Sequence, residues 1–148
     1  MAAAAATGAA LLLRARPAAA AAADPPALRA AMARFIGSAT PRDERDGRIT
    51  IELPEMVENG NAVPVTVSVN SPMTERDRVV AITLFASRNP APEVAEFQLG
   101  RQCGRARVAT RIRLATSQQV VALARLADGA VWMQRVDVLV TLAACVES

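Results

Sequence analysis

The sequence predicts an all-β fold, an antiparallel β-sandwich preceded by one short helix. Three observations carry this. After residue 48 apolar residues recur at alternate positions, turn-forming residues punctuate the runs, and no helical pattern separates one run from the next. With 148 residues and 15.5 kDa, the chain has room for one domain with a real core and too little for two.

Residues 1–23 are nearly all alanine and leucine, with an apolar run from Ala9 to Leu13, then Arg14, Arg16 and Pro17, then the tract Ala18 to Ala23. The alanines before Asp24 look like a leader-peptidase site, but no charge precedes the apolar run. The segment reads as an export signal truncated at its start, with a low-complexity tail as the alternative. No uncharged apolar stretch reaches the roughly 18 residues of a membrane-spanning helix. Residues 24–48 hold a short helix and a polar linker. From Pro26 to Gly37, Leu28, Ala31, Met32, Phe35 and Ile36 fall at helical spacing between a proline start and a glycine stop. Ser38 to Arg48 is charged, turn-rich and solvated.

Residues 49–142 form the sandwich. Ile49, Ile51 and Leu53 alternate with Thr50 and Glu52, and Val63, Val65, Val67 and Val69 alternate with Pro64, Thr66 and Ser68, so each strand has one buried and one wet face. Between them Asn59-Gly60 marks a turn, both residues tolerating positive φ. Further strands are expected at Val79 to Phe85, Val94 to Leu99, Arg105 to Leu114, Gln118 to Leu126 and Val131 to Leu142, the last two joined as a hairpin through Asp128-Gly129. That makes seven strands. Trp132 is assigned to core or interface packing and to no ligand site.

Composition narrows the chemistry. Histidine, lysine and tyrosine are absent, which removes imidazole acid/base catalysis, histidine metal sites, Schiff bases and phenolic acids; no resident cofactor or metal is expected. The 17 arginines against 14 acids reflect an arginine-for-lysine bias more than a nucleic-acid footprint, and three Phe and one Trp supply no stacking platform. Without residues 1–23 the chain keeps 15 arginines against 14 acids and is almost neutral. In the strand Arg105 to Leu114, Arg105, Arg107, Arg111 and Arg113 share one face, with Val108, Thr110, Ile112 and Leu114 on the other. The stripe reads either as a solvated or aggregation-resistant edge, or as a docking surface for an acidic partner or an oxyanion, with Glu93 and Glu96 placed to neutralise part of it.

The two cysteines, 42 positions apart, form no CxxC pair. Cys145 follows the last apolar strand near the chain end, where a thiol is expected to be accessible and could carry covalent sulfur adducts. An incidental cysteine or an intermolecular disulfide fits the position as well. Cys103, in the loop Gly100 to Arg105, is either free or bridged to Cys145.

The segment from Ile51 to Cys145 resembles the SoxY family, sulfur-carrier subunits of the bacterial Sox thiosulfate-oxidising system. The matching stretches are Leu53 to Asn61, Val63 to Val67 with Ser71 to Thr74, Asn89-Pro90, Pro92 to Ala95, Thr110 to Ala115, Val120 to Ala124 and Val140 to Leu142. The resemblance implies a periplasmic immunoglobulin-like sandwich that pairs with SoxZ as a heterodimer. It implies sulfur carriage on a C-terminal cysteine, here Cys145, in residues 143–148. SoxAX would conjugate thiosulfate to the thiol, SoxB would release sulfate, and SoxCD, where present, would oxidise the sulfane sulfur; the carrier itself is no enzyme. The sequence departs from the family at the arm. Where the family has Gly-Gly-Cys-Gly-Gly, Ala143 and Ala144 precede Cys145 and Val146, Glu147 and Ser148 follow it. Alanines stiffen the arm, Val146 widens it and Glu147 sets a negative charge beside the thiol.

Overall fold

In the computed structural model the chain enters its fold through helix α1 (Pro26–Ile36). The structure describes residues 23–43 and 47–142. The helix starts without a side-chain cap, with proline in its first turn, where a missing N–H costs nothing. It stops at Gly37, whose φ of 62° is open to glycine and whose N–H donates to the Ala33 carbonyl at 2.9 Å. Leu28, Ala31 and Met32 are its buried residues, a stripe at positions i, i+3 and i+4.

Nine strands follow: β1 (Arg42–Asp43), β2 (Ile49–Glu52), β3 (Met56–Asn59), β4 (Val63–Val69), β5 (Val79–Ala86), β6 (Glu93–Gln98), β7 (Ala106–Ile112), β8 (Gln118–Leu126) and β9 (Val131–Leu142). They form an immunoglobulin-like β-sandwich of two sheets, the larger ordered β1-β9-β8-β5-β6 with β3 also paired to β9, the smaller ordered β2-β4-β7. The central strands of the larger sheet, β5 and β8, are buried on both faces. Leu84, Val120, Ala122 and Ala124 face the smaller sheet, while Phe85, Val121, Leu123 and Val131 face α1. Double burial is why β5 and β8 read as nearly continuous apolar runs, and each large side chain sealed there contributes roughly 1.5–3 kcal/mol. The smaller sheet keeps the alternation expected of one wet face, as in β4.

All seven expected strands are present, and β4, β8 and β9 begin and end where the alternation and turn residues placed them. The Asp128-Gly129 hairpin forms as expected. Gly129 takes φ 87°, its N–H donates to Leu126 at 3.0 Å, and the Asp128 carboxylate accepts from the Ala130 N–H at 2.9 Å.

Two strands lie outside the expected seven. β1 falls in the segment read as linker and β3 in the segment read as turn, and both run parallel to β9 along its outer edge. Each is short and finds its partner some 80 to 90 residues away, so neither leaves an alternation to read. The Asn59-Gly60 turn is also built differently. Among the described residues positive φ is confined to Gly37, Gly47, Met73 and Gly129. The Asn59 side chain instead accepts the Asn61 N–H at 2.9 Å, an Asx turn. Trp132 packs against the core, with the Arg42 and Arg48 guanidinium groups each 5.3 Å from its ring centroid. No helix among the described residues is long and apolar enough to cross a membrane.

Candidate functional site

Cys145 lies outside the described residues. What the structure shows is the platform from which the chain continues toward it. The last residue of β9, Leu142, accepts a hydrogen bond at 3.1 Å from the N–H of buried Gly60, and the Gly60 carbonyl accepts from Leu114 N–H at 2.8 Å. Two residues earlier, Ser117 Oγ accepts from the Val140 N–H at 2.9 Å and donates to its carbonyl at 3.2 Å. Asn89 and Gln118 bind the surrounding loops together. Asn89 Nδ2 donates to the Arg113 carbonyl at 2.8 Å, and its Oδ1 accepts from Ala115 N–H at 3.0 Å and Gln118 Nε2 at 2.8 Å. Buried Gln118 is itself satisfied, accepting from the Arg88 N–H at 2.7 Å and donating to the Thr116 carbonyl at 3.1 Å. Three loops and the end of β9 thus form one hydrogen-bonded rim.

The arginine stripe lies on β7, an edge strand whose pairing among the described residues is with β4 alone. Arg107 and Arg111 stand opposite Ser68 and Pro64, and Arg105 and Arg113 flank the strand; all four are exposed. Glu93 and Glu96 do not neutralise them. Both acids sit on β6 in the other sheet, Glu96 accepts a hydrogen bond from Gln98, and among the described residues the ion pairs are Arg48 with Asp77 and Arg135 with Asp24. Beside Arg111 the outer face of the smaller sheet carries an open depression of about 690 Å³, bounded by Glu52, Pro64, Thr66 and Ala109.

Cys103 is exposed, in the loop before β7, at the opposite end of the sandwich from Leu142. Leu142 adjoins Gly60 and Leu114, beyond the far end of β7, and the six steps from Ala106 to Ile112 already span about 20 Å. Three residues reach at most about 11 Å from Leu142, and a disulfide needs Cα atoms within about 7 Å. A bridge from Cys103 to Cys145 within one chain therefore falls short.

Two features were not anticipated from sequence. Asp24 meets Arg135 through two hydrogen bonds, 2.8 and 2.9 Å, at the entrance to α1, beside an open groove of about 1090 Å³. Met56, Leu139 and Leu142 are large, apolar and exposed, at 61%, 49% and 68%, and gather where β3 pairs with β9. The available signal was a methionine inside a polar, turn-rich segment.

A family model described as sulfur oxidation protein SoxY matches residues 32–145. Among solved structures, the sulfur carrier protein SoxY from Chlorobium limicola f thiosulfatophilum is 31% identical, with a TM-score of 0.63 over 78% of this chain and 96% of that one. Superoxide reductases share the fold alone. The neelaredoxin from Ignicoccus hospitalis is 21% identical with a TM-score of 0.56 over 62% of this chain and 79% of that one. The enzyme from Nanoarchaeum equitans is 11% identical with a TM-score of 0.57 over 67% and 100%. No curated protein matches the sequence.

Proposed function

The chain belongs to the SoxY family of sulfur oxidation proteins, and from that membership we propose that it carries sulfur intermediates covalently on Cys145 during thiosulfate oxidation. The observation that carries the reading is that the family match runs to residue 145, the cysteine itself, while the strand leading to it is anchored to Leu142 by hydrogen bonds from three loops. A thiol three residues beyond a rigid rim can be offered to another protein's active site while the sandwich stays outside.

In this reading the loading step joins the Cys145 sulfur to the outer sulfur of thiosulfate, releasing one proton and two electrons to a SoxAX-type cytochrome. Hydrolysis by a SoxB-type enzyme then adds water, frees sulfate and leaves a persulfide. A SoxCD-type dehydrogenase, where present, oxidises the remaining sulfane sulfur. The chain supplies the thiol and the docking surfaces, its catalytic groups belong to these partners, and a SoxZ-like subunit completes the heterodimer. Arg105, Arg107, Arg111 and Arg113, exposed and without a carboxylate within 4.0 Å among the described residues, are docking groups for acidic surfaces of the transient partners. The alanine tract before Asp24 supports export to the periplasm.

The test is intact-mass spectrometry with peptide mapping on protein purified without reductant from cells oxidising thiosulfate. Sulfur adducts are expected on Cys145 and absent from Cys145→Ser, which still folds and binds its partner; loading that persists in that variant overturns the reading. One observation favours a second reading, a paralogue that pairs without cycling sulfur. The residues around Cys145 are Ala143, Ala144, Val146 and Glu147, where the family has glycines. Under it Cys145 stays bare in cells whose other carriers are loaded, and a glycine-rich replacement of 143–148 restores turnover.

A further inference from the structure

Strands at the free edges of this sandwich are treated in two ways. β6 presents exposed Glu93 and Glu96, and β7 presents exposed Arg107 and Arg111. Charges on an edge discourage another strand from pairing there. β3 is different. It is four residues long and pairs, among the described residues, with β9 alone; its first residue Met56 lies directly opposite Leu139, and its last, Asn59, opposite Leu142. Leu139 has the parity of Val131 and Met133, which face the helix layer, whereas Leu142 has the parity of Val138 and Val140, which face the smaller sheet. Apolar side chains therefore stand on both sides of one edge, and they are all the large exposed apolar residues among the described ones.

Scattered exposed leucines are ordinary; a cluster on one edge marks a surface meant to be covered. Its rim is acidic. Glu55, Glu58 and Asp137 are exposed around it, and among the described residues none has a guanidinium within 4.0 Å. We propose that the edge formed by Met56, Leu139 and Leu142 is the seat of the second subunit, which meets it with an apolar contact ringed by arginine or lysine. The proposal rests on the reading that the chain pairs with a SoxZ-like subunit, and it adds where and by what chemistry. The charge of the rim selects a basic partner, and Leu142 at this edge precedes Cys145 by three residues in sequence. The arginine edge of β7 is left to transient partners.

The experiment measures binding of the full chain to the SoxZ-like subunit of its own genome by calorimetry. The double variant Met56→Arg/Leu139→Arg is expected to bind at least about tenfold more weakly, and Met56→Glu/Leu139→Glu to lose less, because arginine repels a basic ring and glutamate does not. Arg107→Ala/Arg111→Ala should bind as the unaltered chain does. Circular dichroism of both patch variants should be unchanged, since both side chains are exposed. Intact binding by the patch variants, or the reverse order of the two, overturns the proposal while leaving the pairing itself standing. Failure of the unaltered chain to bind the subunit overturns both. A homodimer that the arginine variant dissociates would make the occupant a second copy. Protection of Met56 from peroxide in the isolated chain, lost on removing residues 143–148, would make it the chain's own end. Either result also overturns the proposal.

Discussion

The two ends of the sandwich are closed by different means. At the end where β9 finishes, polar side chains reach between loops far apart in sequence: Asn89 holds Arg113 and Ala115, Gln118 holds Arg88, and Ser117 holds Val140. At the other end the links are mostly local. Ser71 bonds Met73 and Asp77, Asp128 bonds Ala130, and the long-range side-chain link is an ion pair, Arg48 with Asp77, about a third exposed, beside two backbone bonds, Asn70 N–H to the Arg48 carbonyl and Ala127 N–H to the Arg78 carbonyl. A buried Gln118 and a half-buried Asn89 that bind several loops at once over-determine the positions of those loops, whereas local turns fix only themselves. The end that precedes Cys145 is the one built as a rigid frame.

The substitution that should break this difference most is Gln118→Ala. It deletes a buried side chain with three hydrogen bonds and strands the Arg88 N–H, for a cost of about 2–4 kcal/mol in urea unfolding. Amide exchange should rise first at Arg88, Ala115 and Val140, and the far hairpin should keep its protection. Uniform loss of protection at both ends would mean that the frame is no separate unit.

Little of that frame was legible beforehand, and the reason is physical. Helix α1 announced itself through proline, glycine and a 3–4 spacing, and β4 and β9 through alternation bounded by turn residues, because these signals are local. Asn89 and Gln118 look like solvated polar residues until the sheets bring them within 2.8 Å of each other. β3 and the apolar edge it creates with Leu139 were hidden for the same reason, being products of parallel pairing across 83 residues. The arginine face of β7 was readable, since parity alone sets it; the absence of neutralisation by Glu93 and Glu96 was not, since their strand belongs to the other sheet. Cys145, named by family resemblance, lies outside the described residues.

At the far end the effects should be small. Arg48→Ala removes the pair with Asp77 and a cation over Trp132, both partly solvated, and should lower stability by at most about 1 kcal/mol, less in high salt. A loss comparable to Gln118→Ala would show that both ends are framed and would remove the contrast.

The smallest expected effect is the most informative about the thiols. Cys103 sits in an exposed loop whose neighbour β7 runs about 20 Å before reaching the vicinity of Leu142, whereas three residues beyond Leu142 extend at most about 11 Å. Cys103→Ser should change stability by less than about 0.5 kcal/mol and leave the sulfur load on Cys145 untouched, read by denaturant titration and by peptide mapping of the same sample. An increased load in the variant would mean that Cys103 competes for or caps the carrier thiol. Because one chain is too short to bring the two sulfurs together, that competition would have to act between molecules and grow with protein concentration.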